Sequence, residues 1–112
     1  MKSYTNEELN QASMQIILHA GNGRDFVNQA LSSLAEKRDC KEYNELMKKA
    51  HEEITMAHKA QTEIIQSTVL EEKQNITLLF IHAQDTLMTI SSEFNISKQI
   101  GLLYGSLLKG SE

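Results

Sequence analysis

Residues 78–94 read LLFIHAQDTLMTISSEF. No glycine or proline interrupts them, and apolar residues recur at the three- and four-residue spacing of an α-helix. With about 100° of rotation per residue, Phe80, Ala83, Leu87, Ile90 and Phe94 gather on one side of the wheel, and Leu78, Ile81, Asp85 and Met88 gather roughly opposite. A surface helix of a monomeric bundle needs a single apolar stripe. Two opposed stripes predict that one packs inside the chain and the other against a second copy of it. The alternative, a helix buried on all sides, is hard to arrange with only three helices.

The rest of the chain supplies those helices. It has no proline, and its glycines stand at 21, 23, 101, 105 and 110, so residues 24–100 contain no strong breaker. Strand-like alternation is rare. Thr5 followed by Glu8 has the spacing of a capping box and predicts a helix start, with Met14, Ile17, Leu18 and Ala20 as its apolar stripe. AGNGRD at 20–25 predicts a break or kink. A second stretch carries Phe26, Ala30, Leu31 and Leu34 up to a turn near Arg38–Cys40. Tyr43, Leu46, Met47, Ala50, Ile54, Ala57, Gln61, Ile64 and Ile65 then mark one long amphipathic helix, and the more polar residues 67–76 read as the link to the last one. The expected fold is all-α: one domain over residues 1–112, an antiparallel three-helix bundle with a broken first helix region, assembling as an oligomer.

Composition narrows the function classes. The chain has 112 residues, a size at which helical domains often gain burial by oligomerising. Apolar residues make up 40% and charged residues 23%, the balance of a chain that folds. The net charge of −4, the absence of a basic stripe and the lack of Trp argue against nucleic acid as a partner. A single cysteine, Cys40, rules out an internal disulfide and has no neighbouring His or Cys to activate it. No apolar run is of membrane-spanning length and MKSYTNEELNQ has no signal-peptide character, so a cytoplasmic protein without direct membrane insertion is expected.

Asp85 and His82 are the polar residues that this helix does not explain. If the second stripe is a symmetric seam, copies of Asp85 converge, and converging carboxylates must take up protons or hold a cation or water. His82 falls with Thr86, Thr89 and Glu93 on a polar strip beside the seam, which predicts a partly exposed imidazole. A lone histidine on a helix is more often a satisfied or solvated side chain, and His82 and Asp85 are also spaced as a plain i,i+3 pair. A di-metal bundle is disfavoured, because the chain lacks the Glu-x-x-His pairs such sites use.

His82-Ala83-Gln84-Asp85 with Leu87-Met88 closely resembles the HAQDHLM signature of the lactose/cellobiose-type IIA components of the bacterial phosphoenolpyruvate-dependent sugar phosphotransferase system. Ala20-Gly21-Asn22 with Arg24 is similar to that family's AGNAR joint, and Ala57-His58 with Gln61-Thr62 to its AHxxQT segment. The three motifs come in the family's order and cover nearly the whole chain. The resemblance implies a homotrimer of three-helix subunits and a phosphoryl group carried on Nε2 of His82. It implies HPr as donor and a IIB component, with a membrane IIC component downstream, as acceptor. It also implies Asp85 from each subunit at the trimer axis with Mg²⁺ or another divalent cation, and Gln84 as a residue that shapes the site. The sugar, of lactose, cellobiose or chitobiose type, is expected to be chosen by the membrane partner.

The chain departs from the pattern at two places. Thr86 stands where the signature has a second histidine, one turn after His82, and can donate a hydrogen bond but carry no charge. Altered phosphate stabilisation or partner preference is expected, with the acceptor kept. Gly23 and Asp25 stand where Ala and Ser are common, and a looser joint is expected. The competing reading is a helical trimeric scaffold or regulatory module of the same fold that performs no phosphotransfer. His58 is placed equally well by a structural tie between helices and by a role at the site; His19 and His51 carry no motif.

Overall fold

The computed structural model describes residues 4–70 and 76–110, except the side chains of 69 and 70. Three helices account for nearly all of them: α1 (Asn6–Ser32), α2 (Cys40–Leu70) and α3 (Leu78–Gly110). They run up, down and up in a rod of 61 × 20 × 19 Å.

Side chains next to each start explain where the helices begin. Thr5 Oγ1 accepts the Glu8 backbone N–H at 3.0 Å while Glu8 Oε1 accepts the Thr5 N–H at 3.1 Å, the reciprocal box expected from the sequence. Asp39 Oδ1 accepts the Glu42 N–H ahead of α2, and Thr77 Oγ1 accepts the Phe80 N–H ahead of α3. α1 ends through one π-helical turn, Ser33–Lys37. Arg38 then adopts a left-handed conformation with φ 54°, and its N–H reaches the Leu34 carbonyl. The reversal thus falls within the expected Arg38–Cys40 stretch.

The break expected at 20–25 is absent. α1 continues unbroken through AGNGRD. Two glycines weaken a helix by about 1 kcal/mol each relative to alanine, yet they keep their backbone donors and the ladder survives. Gly23 does not loosen a turn either. It is buried, and a Cβ there would lie 2.8 Å from Ile54 Cγ1 and 3.4 Å from the Ala50 carbonyl oxygen. Glycine lets α1 and α2 approach closely at this level, where Ala20, Ala50 and Ala57 are also fully buried.

The buried stripe of α1 is Leu9, Ser13, Ile16, Ala20, Gly23, Val27 and Ala30. Of the stripe read from the sequence only Ala20 belongs to it; Met14 and Leu18 are exposed and Ile17 is half-buried. On α2 the core residues are Tyr43, Met47, Ala50, Ile54, Ala57 and Ile64, with Gln61 buried among them. Helix α2 extends through Leu70, so residues 67–70 are helix rather than link; residues 71–75 of that link lie outside the described residues. α1 packs along both other helices, whereas α2 and α3 approach each other less closely. One side of α3 is therefore left uncovered.

Candidate functional site

The two faces of α3 separate as their spacing predicts. Phe80, Ala83, Leu87, Ile90 and Phe94 are buried. Leu78, Ile81 and Met88 are exposed, with 81% of Leu78 and 59% of Met88 accessible in the single chain. The exposed stripe continues beyond Met88 through Ile96, Ile100, Leu103 and Leu107. Ile96, Ile100, Leu103 and Leu107 are spaced by three or four residues and follow Met88 after two turns, so the stripe lines one face over most of the 33-residue helix. Asp85 lies within this stripe and is exposed.

His82 sits on the flank next to that stripe, exposed as expected. Its imidazole makes no hydrogen bond to another described side chain. One turn later the half-buried Thr86 donates its hydroxyl proton to the His82 carbonyl, Oγ1 to O 2.8 Å. The hydroxyl expected to face the imidazole as a donor is thus committed to the backbone. Thr89 is exposed farther along the strip. Glu93, at its far end, receives two bonds from Arg24 of α1. The guanidinium pKa is raised, first by the hydrogen bond to Glu93 and then, against desolvation, by the charges of Glu93 and Asp25.

Gln84 is half-buried on a different flank. Two residues beyond His82 it is turned by about 200°, onto the side that carries Ser91. A single chain does not bring Gln84 and the imidazole together. Asp85 likewise makes no bond to His82, and the described residues of one chain hold no group of three metal-ligating side chains. A cation at Asp85 would draw one carboxylate from each copy; the exposed oxygens are suitable hard ligands for Mg²⁺.

The other histidines are engaged. His19 Nδ1 lies 2.7 Å from Glu53 Oε2, and Glu53 Oε1 accepts the Asn22 amide at 3.1 Å, joining α1 to α2. Sequence spacing gave no sign of that tie, because its partners lie on separate helices. His58 Nε2 lies 2.9 Å from Ser91 Oγ and bridges α2 to α3, the structural one of its two expected roles. His51 rests against the Phe94 ring at a centroid distance of 5.8 Å.

The family described as "PTS system, Lactose/Cellobiose specific IIA subunit" matches residues 11–105. The chain belongs to this family. It is 41% identical over 99 residues to the lichenan-specific phosphotransferase enzyme IIA component of Bacillus subtilis, covering 88% of this chain and 89% of that one. Among solved structures, the cellobiose-specific enzyme IIA of Bacillus anthracis superposes with a TM-score of 0.80 at 40% identity, over 95% of this chain and 94% of the other. PtcA from S. mutans superposes with a TM-score of 0.85 at 31% identity, over 91% and 99% of the two chains. The all-α three-helix fold and the membership in the sugar phosphotransferase system are therefore as the motifs implied. No helix among the described residues is long and apolar enough to cross a membrane.

Proposed function

We propose that this IIA component carries a phosphoryl group on His82 during uptake of a disaccharide of lactose, cellobiose or chitobiose type. The group arrives from phospho-HPr and leaves to a cysteine of the IIB component, in the cytoplasm. One observation carries the choice of residue. Of the chain's 4 histidines, His82 is the one whose ring is neither bonded to a described side chain nor set against an aromatic ring, and it stands exposed where a partner protein can reach it. A neutral imidazole is a competent nucleophile at cytosolic pH. Phosphoryl transfer asks mainly for positioning and charge stabilisation, so an open site on a rigid helix suffices.

The reading includes a homotrimer. The exposed apolar stripe of α3 needs a cover, and a threefold seam along it brings the three Asp85 carboxylates together. Mg²⁺ or another divalent cation held there neutralises them. Incubation with phosphoenolpyruvate, enzyme I and HPr is expected to add one acid-labile phosphoryl group per chain, and none to His82→Ala. Equal labelling of His82→Ala would falsify the assignment. A trimer that takes no phosphate under these conditions would instead support a scaffold of the same fold, the reading that Thr86 keeps open.

A further inference from the structure

We propose that Thr86 is a positioning residue that sets the tautomer of His82: its hydroxyl oxygen accepts the hydrogen on Nδ1, which leaves the Nε2 lone pair free for the phosphoryl group. The proposal rests on His82 being the acceptor. It starts from the bond between Thr86 Oγ1 and the His82 carbonyl, 2.8 Å long. A hydroxyl has one proton and two lone pairs. With the proton spent on the carbonyl, Thr86 can offer the imidazole only a lone pair, and donation to the carbonyl makes that oxygen a better acceptor.

The placement favours Nδ1. Residues 82 and 86 are i,i+4 neighbours, with Cβ atoms roughly 5–6 Å apart on one helix face. Helical side chains lean toward the N-terminus, so the Thr86 hydroxyl overhangs the root of His82. Threonine is stiff about χ1, and the bond to the carbonyl selects one of its two helical rotamers. Nδ1 is the ring nitrogen near the root of the side chain and Nε2 the one at its tip. In the proposed arrangement the His82 ring rotates about its terminal torsion to set Nδ1 against the hydroxyl, with Nε2 outward. No described side chain bonds this imidazole in the single chain, so without the bond to Thr86 proposed here the ring behaves as it does in water, where the Nε2–H form dominates and the outer nitrogen has no free lone pair.

The transfer step then needs no proton rearrangement on this chain. The Nε2 lone pair forms the new P–N bond as the donor's P–N bond breaks, and that electron pair returns to the donor nitrogen. Nδ1 keeps its hydrogen, and its bond to Thr86 becomes charge-assisted as the ring gains positive charge.

The test is ¹⁵N NMR of the full, unphosphorylated chain above the ordinary histidine pKa of about 6.5, with His82 signals assigned against His82→Ala. The Nδ1–H form is expected to dominate in the wild type and in Thr86→Ser. Thr86→Val, which keeps the shape and loses the hydroxyl, is expected to shift toward Nε2–H and to accept phosphate from phospho-HPr about tenfold more slowly, the effect of one net hydrogen bond. A wild type already in the Nε2–H form, or an unchanged pattern in Thr86→Val, overturns the proposal. Because the tautomer is read without phosphate, a Thr86-dependent pattern on a His82 that takes no phosphate would sink the acceptor reading and leave the positioning role standing.

Discussion

Arg24 on α1 holds Glu93 on α3 by both carboxylate oxygens, Nε to Oε1 at 2.9 Å and Nη2 to Oε2 at 3.0 Å. The pair ties the first motif of the sequence to the strip that carries His82. Both side chains are less than half accessible, 41% and 44%. Solvent screens a pair at that exposure, so Arg24→Ala is expected to cost about 0.5–1 kcal/mol, and less in high salt. Urea unfolding at two ionic strengths measures it. A cost that does not respond to salt would mean that packing of the arginine stem, and not its charge, joins the helices.

Gly21 and Gly23 are two residues apart in α1 and should respond oppositely to alanine. Nothing lies within 4 Å of a Cβ at Gly21. Gly21→Ala is expected to stabilise by about 0.5–1 kcal/mol through helix propensity. Gly23→Ala drives its methyl onto Ile54 and is expected to destabilise by about 1–3 kcal/mol. If denaturant midpoints moved the same way for both, the close approach of α1 to α2 would not be what glycine serves there.

The Tyr43 hydroxyl donates to the Ser97 carbonyl at 2.8 Å, and a Cβ at Gly101 would overlap the end of that ring. Burial raises the Tyr43 pKa above its ordinary 10.0. The folded chain thus holds the phenolic proton more tightly than the unfolded one. Tyr43 stabilises fully below pH 10.0 and progressively less as pH rises through the folded value. Tyr43→Phe is expected to cost about 1 kcal/mol at neutral pH and to flatten the alkaline decline. An equally steep decline in the variant would assign it to other groups.

The uncovered stripe of α3 predicts how assembly fails. If the proposed trimer forms along this stripe, a charge there, as in Leu103→Asp, is expected to dissociate it while leaving the helix content of the subunit intact, because Leu103 is exposed in the single chain. Native mass spectrometry reads both states, and a wild type already monomeric at micromolar concentration would remove the seam. Asp85→Asn removes the charges that would converge in the proposed trimer. It is expected to make the stability of that trimer insensitive to chelation of divalent cations, whereas the wild type is expected to lose stability in chelator.

Much of this protein follows from local pattern. The capping box at Thr5 and Glu8 and the reversal near Arg38 are matters of short-range hydrogen bonding, which neighbouring residues settle. The division of α3 into a buried face from Phe80 to Phe94 and an uncovered stripe around Asp85 follows from helical period alone. So does the exposed placement of His82. What tertiary structure decided lies between helices. Why a glycine fits at position 23 of the unbroken α1 is visible only where it meets Ile54, a residue whose proximity no window on α1 contains. Met14 and Leu18 look like core in sequence, yet α2 and α3 pack against the other side of α1 and leave them outside. Glu53 holds His19 and Ser91 meets His58 only once the helices are packed. A helix's period gives each residue a direction, and only packing decides which directions have a neighbour.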